Sequence, residues 1–536
     1  MRSRGSDRKP ERWRRVFTWI AVGVVSVAVA AEVVLHGVVD ADFVARRLAG
    51  RLPPRFALDV GDAGFSFLRG SLDLRGVELW RVGPAGGRGV PRIEVPSLEL
   101  RGIHRLALLG GGPWQLGTIR ADSARATIRL HSLTRRAREG GEAAPPRERP
   151  GRLLPRLSAG EVEVRGAVVV LTDDDGAPVD SVTGLRATLG EVGTTSSGPD
   201  GGELRVAAGA SLHVPSFRHV TADGRRELAL DDVTVSTQDS AARVAAVRWG
   251  PPGDPDAQAE GITLSARGVT AGRVDFPRLV SDHGIVIGRV TVDTLDVRAA
   301  VRRTASPPEG AAPGMPGDWL ERVDVPLALD TVRVVHGSAG YSETPAGASR
   351  AGSVLFRDAS GRLLGLSNAE GAGSAPGPVD VEVSARLEGS APLRARLTGR
   401  LVGDSADLHV SGGVGSMPAP ELSPALVPLA GIRVTAGTVD TVSFDFRMEG
   451  RRATGRLEVL YGGLDLEKAG EGEGPPGLLR KIGSSILQRR VWKANPSEPG
   501  RDPRVGRIDH RRAEDESFWA YLWKSIRSGL MDVVRR

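Results

Sequence analysis

The chain has 536 residues, contains no cysteine, and carries 72 Lys and Arg against 65 Asp and Glu, for a formal net charge of +7. The absence of cysteine excludes disulfides, thiolate metal sites and cysteine nucleophiles. The length exceeds what one compact core normally supports, so we expect several domains or an extended repeat. The positive charge is mostly arginine interspersed with Asp and Glu, a pattern typical of a solvated surface, and we therefore expect no nucleic-acid partner.

The N-terminus combines a basic tail with a long apolar run. Residues 1–15 are rich in arginine, and residues 16–39 are almost entirely apolar. About 20 apolar residues suffice for a helix to cross a bilayer, and the basic cluster predicts that residues 1–15 stay in the cytoplasm while the bulk of the chain is translocated. The alternative is a signal peptide cleaved after Ala30, in the sequence Ala28-Val29-Ala30. Both interpretations send the chain from residue 40 onward to the same compartment.

The rest of the chain is predicted to be mainly β-structure, because short alternating apolar runs are separated by Gly- and Pro-containing turns. A short amphipathic helix is expected at 40–52, before the first strand. Two Pro-containing segments, 136–150 and 304–318, are interpreted as linkers. The predicted divisions are therefore an N-terminal β unit (40–135), middle repeats (151–303), C-terminal repeats (319–468) and a basic tail with amphipathic helices (469–536).

One short sequence pattern, called here the repeated phrase, recurs along the β regions. Val290–Val297 reads VTVDTLDV, and the same arrangement returns as LALDDVTV from Leu228 and LALDTVRV from Leu327, with a shorter copy, TVDTVSF, from Thr438. Alternation of apolar and polar residues predicts strands with one buried face, and the extra pair Asp293-Thr294 predicts a bulge or a bend. Repeated strands of this kind can share one continuous apolar face. The residues predicted to line that face are Leu228, Leu230, Val233, Val235, Val290, Val292, Leu295, Val297, Leu327, Leu329, Val332, Val334, Val442, Phe444 and Phe446.

The C-terminal tail contains two candidate amphipathic helices, 478–487 and 516–534. In the second, apolar residues recur at spacings of three and four with basic residues beside them. Tryptophan and basic residues on such a helix are typical of a helix that lies in a membrane interface, which would make the outer membrane or an envelope protein its partner. The alternative is that this helix caps the open end of the sheet and covers a bare strand edge. The predicted membrane-interface residues are Phe518, Trp519, Leu522, Trp523, Ile526 and Leu530.

The sequence contains no motif that predicts catalysis. Known catalytic and phosphate-binding motifs are missing, and no His residues have the spacing of a metal site. The acidic run Asp173-Asp174-Asp175-Gly176 has the composition of a hairpin turn and lacks the spacing of a calcium-binding loop. We therefore expect neither an enzyme nor a cofactor.

Two stretches resemble a known family. The first covers residues 16–135 and includes PRFALDVGDAGFSFLRGSLDLRGVELWRVG, followed by IEVPSLELRGIHRLALLGGGPWQLGTIRADSARATIRLHS. The second covers 426–530 and contains in order Gly-Thr-Val-Asp, Phe-x-Phe, Ala-x-Gly and Tyr-x-x-Leu, then RVGRIDHRR and ESFWAYLWKSIRSGL. Both stretches resemble AsmA-like proteins, bridge-like lipid-transfer proteins of the Gram-negative envelope.

The resemblance implies both a fold and a function. The expected fold is mainly β, with an N-terminal transmembrane helix, an elongated, repetitive antiparallel β-sheet curled into an open groove, and short C-terminal amphipathic helices. The expected protein is anchored in the inner membrane through 16–39, has its bulk in the periplasm, and carries phospholipid along the groove between the inner and outer membranes. The alternative function is an anchored envelope scaffold or outer-membrane-protein assembly factor that pairs with other strands through its sheet edge.

Overall fold

A computed structural model describes most of the chain from residue 40 onward. The described residues are mainly β-structure, as predicted, with 21 strands and several short helices. The predicted cytoplasmic tail (1–15), transmembrane anchor (16–39), linker 136–150 and helix at 478–487 lie outside them. Among the described residues, no helix is both long and apolar enough to cross a membrane. The described residues are 40–49, 56–66, 69–82, 88–103, 114–129, 157–173, 176–195, 203–221, 223–253, 260–280, 284–302, 315–321, 323, 325–345, 347–348, 350–368, 377–401, 407–470, 492–498, 500–513 and 516–534.

The chain divides into two compact units. The first comprises the residues up to Phe217 together with Thr234–Gln238, and the second comprises Arg218–Val233 and the chain from Asp239 onward. The division therefore lies at neither of the predicted linkers, 136–150 and 304–318. Strand pairing explains the difference, because the strands that flank each of those segments hydrogen-bond directly to each other.

The first unit is a sheet preceded by one helix. Its elements are α1 (Ala41–Ala49), β1 (Phe56–Ser66), β2 (Ser71–Val82), β3 (Arg88–Arg101), β4 (Trp114–Asp122), β5 (Arg125–Arg129), β6 (Leu157–Thr172), β7 (Pro178–Thr195) and most of β8 (Glu203–Val220). Strands β1, β2 and β3 pair antiparallel in that order. Strands β4 and β5 both lie between β3 and β6, antiparallel to β3 and parallel to β6, and β6 pairs antiparallel with β7.

The strand register of the first unit separates apolar from polar side chains. Its first helix begins where the Asp40 carboxylate accepts a hydrogen bond from the Phe43 N–H (2.7 Å), an N-cap. Val44 of this helix then packs into the apolar side of the sheet, where Leu72 is buried. Directly paired residues share a face of a sheet, and one such row is Phe65, Leu72, Leu100, Ile119, Val162 and Leu189. The adjacent row, on the other face, is Gly64, Asp73, Glu99, Arg120, Glu163 and Thr188.

The second unit contains the longer series of strands. Its elements are most of β9 (Glu227–Ser236), then β10 (Ala241–Gly250), β11 (Gly261–Val274), α2 (Phe276–Val280), β12 (Ile285–Arg302), α3 (Pro316–Glu321), β13 (Leu327–Thr344), β14 (Gly352–Ser367), β15 (Val379–Leu387), β16 (Ala391–Arg400), β17 (Asp407–Val414), β18 (Met417–Pro418), a 3-10 helix (Ala419–Leu422), α4 (Ser423–Ala430), β19 (Ile432–Glu449), β20 (Arg452–Lys468), β21 (Val505–Arg511) and α5 (Phe518–Val534). From β10 to β17, and again from β19 to β21, each strand pairs with the next, and β17 pairs with β19.

Among the described strands, pairing is predominantly antiparallel, as predicted, with three parallel strand pairs as exceptions. Strand β12 is parallel to β13, and β6 is parallel to both β4 and β5. A parallel pair needs a crossover of a dozen or more residues in place of a hairpin. Residues 303–326 separate β12 from β13, and residues 130–156 separate β5 from β6, so both connections are long enough.

The inserted pair in the repeated phrase, Asp293-Thr294 in β12, is accompanied by a residue with a left-handed backbone conformation. Strand β12 pairs with β11 and β13 without a register shift at Asp293 or Thr294, so the predicted bulge is absent there. The left-handed backbone is in the neighbouring strand, at Gly268 (φ 61°), where a Cβ atom would collide with the Asp293 carboxylate. In the β9 copy the inserted Asp232 itself adopts φ 52°.

We expect Phe446→Ala to lower the free energy of unfolding by about 3–5 kcal/mol. The Phe446 side chain is 1% exposed and lies in the hydrophobic core of the second unit, so its removal leaves a cavity. Val383→Ala removes a side chain that is 37% exposed in β15, and should cost no more than about 1 kcal/mol. Urea denaturation of both variants measures the difference, and equal losses would show that Phe446 is not a core residue.

Candidate functional site

Two unbroken rows of apolar residues cross the sheet of the second unit. Each row takes one residue from every strand between β10 and β21 except the two-residue β18. The row through Val290 is Ala242, Ala271, Val290, Val332, Leu363, Val381, Leu397, Val410, Phe446, Gly455 and Ile508. The row through Val292 is Val244, Val269, Val292, Val334, Gly361, Val383, Ala395, Gly412, Phe444, Leu457 and Gly506. Because directly paired residues share a face, both rows lie on one face, called here the apolar face.

The row between these two lies on the opposite face and contains no apolar side chain. It consists of Arg243, Thr270, Thr291, Arg333, Arg362, Glu382, Arg396, Ser411, Asp445, Arg456 and Arg507. Ion pairs join its members, with Arg362 3.1 Å and Arg396 3.8 Å from Glu382. Along these three rows, the sheet of the second unit therefore has one aliphatic face and one charged face, as the alternation in the sequence predicts.

The apolar face differs in exposure along its length. From β10 to β16 most members of the two rows are half-buried, as at Val290, Val332 and Leu397. From β17 onward the members with side chains are mostly buried, and Ile508 is completely so. The half-buried part is accessible to a ligand without rearrangement, and the part from β17 onward is already filled by protein.

The structure brings some of the predicted lining residues together. Val290, Val332 and Phe446 share one row, and Val292, Val334 and Phe444 share the other. Beyond the insert, Val297 belongs to a third apolar row with Trp249, Leu264, Ala339, Phe356, Leu387 and Ala391, and Leu295 pairs with Ala266 and Gly337. Leu327, Leu329 and Val442 are half-buried elsewhere in β13 and β19, and Leu228, Leu230, Val233 and Val235 are half-buried in β9.

Sequence reasoning overlooked lining residues in strands that lack the repeated phrase. Leu363, Val381 and Leu397 occupy the row through Val290 in β14, β15 and β16. The sequence VDVEV at 379–383 carries the same alternation, and that signal could have identified Val381 and Val383. Phe444 and Phe446 are predicted as lining residues, but both are buried among core residues and lie beyond the accessible part of the face.

Helix α5 covers the last strands of the apolar face. One stripe of the helix, Phe518, Tyr521, Ser525, Gly529 and Val533, is buried. The helix contacts β20 and β21, and Gly529 lies so close to Gly506 that a Cβ atom on Gly506 would collide with the Gly529 carbonyl oxygen. This close approach requires glycine on both elements. The predicted stripe differs from the buried one, since Leu522, Ile526 and Leu530 are half-buried against the core while Trp519 and Trp523 are exposed.

The same helix also occupies the outer edge of β21. The Arg507 N–H donates to Asp532 Oδ2 (2.9 Å), and the Asp509 N–H donates to Ser528 Oγ (3.2 Å). Unpaired N–H groups on an edge strand can pair with further strands. Here the Asp532 and Ser528 side chains accept hydrogen bonds from two of these N–H groups. The alternative in which this helix caps the end of the sheet is therefore realised in the structure, and a membrane-interface role for its exposed residues stays a prediction.

A buried carboxylate fixes the N-terminal end of α5. The Glu516 side chain is 1% exposed, and it lies 2.6 Å from Lys524 Nζ and 3.1 Å from His510 Nε2. It also accepts a hydrogen bond from the Ala513 N–H (3.0 Å). Burial raises the pKa of Glu516, but the hydrogen bonds from Lys524, His510 and the Ala513 N–H outweigh that effect, so the pKa lies below its ordinary value.

A polar clasp holds the C-terminal end of α5. Arg504 Nε donates to the Val533 carbonyl oxygen (3.3 Å), and the Arg504 guanidinium stacks on the Trp492 ring at 4.5 Å. The buried Asn495 side chain donates to the Val459 and Arg504 carbonyl oxygens and accepts from the Arg504 N–H (2.8 Å). Helix α5 is therefore fixed at both ends as well as along its buried stripe.

Within the described part of the chain, no group of three or more His, Asp or Glu residues could hold a metal ion. The chain matches no model of a known protein family, and no curated protein matches it significantly. The AsmA-like resemblance stays a prediction.

We expect the double substitution Asp532→Ala and Ser528→Ala to promote self-association. It frees the Arg507 and Asp509 N–H groups on the edge of β21, and free strand edges pair with other chains. Analytical ultracentrifugation of the detergent-solubilised protein should show concentration-dependent oligomers. Arg527→Ala, which removes an exposed side chain from the same helix, is the matched control. A monodisperse double variant would show that α5 does not protect the edge.

We also expect the anchoring of α5 to depend on pH through Glu516. Its pKa is lower in the folded protein than in the unfolded chain, where it is about 4.3, so its stabilising effect is complete above that pH and is lost as the pH falls through the folded pKa. Glu516→Gln should therefore be less stable than the wild type at neutral pH, and the gap should narrow in acid. Urea denaturation of the two proteins over a pH series measures the gap, with Glu467→Gln, an exposed carboxamide substitution on β20, as control. A gap that does not change with pH would contradict this role.

Proposed function

We propose that the second unit binds the acyl chains of phospholipid on its apolar face and that the protein transfers phospholipid between membranes. The observation that carries this proposal is the pair of unbroken apolar rows, opposite a charged row, which are mostly half-buried and open to a ligand from β10 to β16. Leaving apolar surface exposed to water costs free energy, roughly 25 cal/mol per Å². Acyl chains would remove it from water while head groups stay in solvent.

The dimensions of the rows suit a lipid chain. Six steps between neighbouring strands from β10 to β16, at about 4.8 Å each, give an accessible row on the order of 30 Å measured along the sheet. Half of a bilayer core is about 15 Å thick, so one acyl chain covers only part of a row. This surplus length favours movement along the rows over binding at one fixed position.

The proposed location in the cell envelope would let the protein transfer lipid between two membranes. Residues 16–39 would anchor the protein in the inner membrane, and the β units would lie in the periplasm. The apolar face would then pass phospholipid between the inner and outer membranes, as expected of an AsmA-like protein. This role needs no catalytic group, in agreement with the absence of catalytic motifs from the sequence.

One observation weighs against the alternative of a scaffold that captures strands at its sheet edge. The edge of β21 is occupied by Asp532 and Ser528 of α5. A partner strand would have to displace this helix before pairing there. Strand capture at this edge is therefore the weaker proposal.

The test is lipid content together with transfer. The full-length protein, purified in detergent, should carry phospholipid detectable by mass spectrometry. Val290→Asp and Val292→Asp should each reduce bound phospholipid and transfer between vesicles by at least about tenfold, equivalent to about 1.4 kcal/mol, because a carboxylate interrupts an apolar row.

Thr291→Asp is the matched control, since Thr291 lies between the two valines in sequence but on the charged face, paired with Arg333. Val292 is 8% exposed, so Val290→Asp at the half-buried position separates loss of binding from loss of fold. Circular dichroism checks folding in each variant. Protein that carries no phospholipid, or a control that is impaired as strongly as the valine variants, would refute the proposal.

A further inference from the structure

The outward face of α5 carries two exposed tryptophans. The Trp519 side chain is 62% exposed and the Trp523 side chain 52%. Single exposed apolar residues are common on protein surfaces, but two indoles one helical turn apart form a concentrated apolar feature. Packing against the sheet does not account for these two indoles, because a different stripe of the helix packs against β20 and β21.

The charges beside these indoles are positive. At about 100° per residue, Trp519, Trp523, Lys524, Arg527 and Met531 share the side of the helix opposite its buried stripe, and these five residues define the outward face of α5. Lys524 forms an ion pair with the buried Glu516 carboxylate, and Asp532 accepts a hydrogen bond from the edge of β21. The cation that the outward face offers to a partner is therefore Arg527, which is exposed beside the two indoles.

The helix that presents this face is already folded and fixed. Glu516 holds its N-terminal end, Arg504 holds its C-terminal end, and Ser528 and Asp532 join it to β21. Amphipathic membrane helices use indoles at the head-group level and basic residues beside them. Here the same chemistry is available without any cost of ordering the helix on binding.

We infer that the outward face of α5 docks on an anionic phospholipid surface. Trp519 and Trp523 enter the head-group region, and Arg527 faces the lipid phosphates. Charge complementarity favours this occupant, because the exposed Arg527 guanidinium beside the two indoles matches the negative charge of lipid phosphates. The inference does not depend on lipid transfer, and it stands even if the apolar face carries no phospholipid.

The experiment measures binding of the full chain to vesicles. The protein is first placed in nanodiscs of phosphatidylcholine, which occupy the predicted anchor at 16–39. Sucrose-loaded vesicles of phosphatidylcholine, with or without phosphatidylglycerol, are then sedimented with it. We expect binding to the vesicles that contain phosphatidylglycerol, weakened by added salt, since screening reduces attraction between exposed charges.

The tryptophan variant gives the decisive comparison. Trp519→Ala with Trp523→Ala should weaken vesicle binding by at least about tenfold, since both indoles lose their apolar contact with lipid. Val505→Ala is the matched control, because Val505 is 53% exposed on neighbouring β21 and lies outside the outward face of α5. Arg527→Glu should reduce binding to vesicles with phosphatidylglycerol and leave binding to pure phosphatidylcholine unchanged.

Further readouts separate docking from the other outcomes. Helicity measured by circular dichroism should not rise when vesicles are added, because α5 is formed beforehand, and the melting temperature of each variant should match the wild type. Unchanged vesicle binding by the tryptophan variant would overturn the inference. So would a photo-cross-linker at position 523 that captures an envelope protein in place of lipid. Bound phospholipid in the purified protein is a separate measurement, so failure of lipid transfer and failure of docking are distinguishable.

Discussion

Hydrogen-bond register between neighbouring strands is the constraint on which the second unit depends. Side chains alternate between the two faces of a strand, so a slip of one residue in any pair would place aliphatic residues among the charged ones beyond that pair. Both sides of the sheet oppose such a slip. The valines and leucines would lose their apolar neighbours, and pairs such as Arg362 with Glu382 would be separated. Although individual surface ion pairs contribute little to stability, they favour the correct register.

The fold could be predicted from the sequence where the signal was local. Alternation around Val290 and Val292 identified a strand with one apolar face, and the composition of 40–52 identified α1. The partners of that strand could not be predicted, because Val332 and Phe446 are joined to Val290 through the registers of successive strand pairs, which no local sequence pattern sets. The parallel pairing of β12 with β13 escaped prediction for the same reason.

The C-terminal helix shows how a hydropathy pattern can miss the residues that pack most closely against a sheet. Spacings of three and four favoured a stripe through Trp519, Leu522 and Ile526. The stripe that packs against the sheet instead includes Ser525 and Gly529, whose small side chains do not register as apolar. Their size is what lets the helix approach Gly506, and that requirement becomes visible only when the helix and the strand are placed together. The apolar residues Trp519 and Trp523 lie on the solvent-exposed side of the helix.

The uniform composition of the apolar rows has a consequence for motion. For an acyl chain lying along the row through Val290, each shift of about 4.8 Å exchanges one aliphatic contact for a similar one, from Ala271 through Val332 to Leu397. If the apolar face carries lipid as proposed, such a surface offers it a nearly level energy profile. The profile ends at Val410, which is already buried among core residues. The two directions along the row are therefore unequal: one leads to a closed terminus, and a chain that reaches it can leave only sideways or by the way it came.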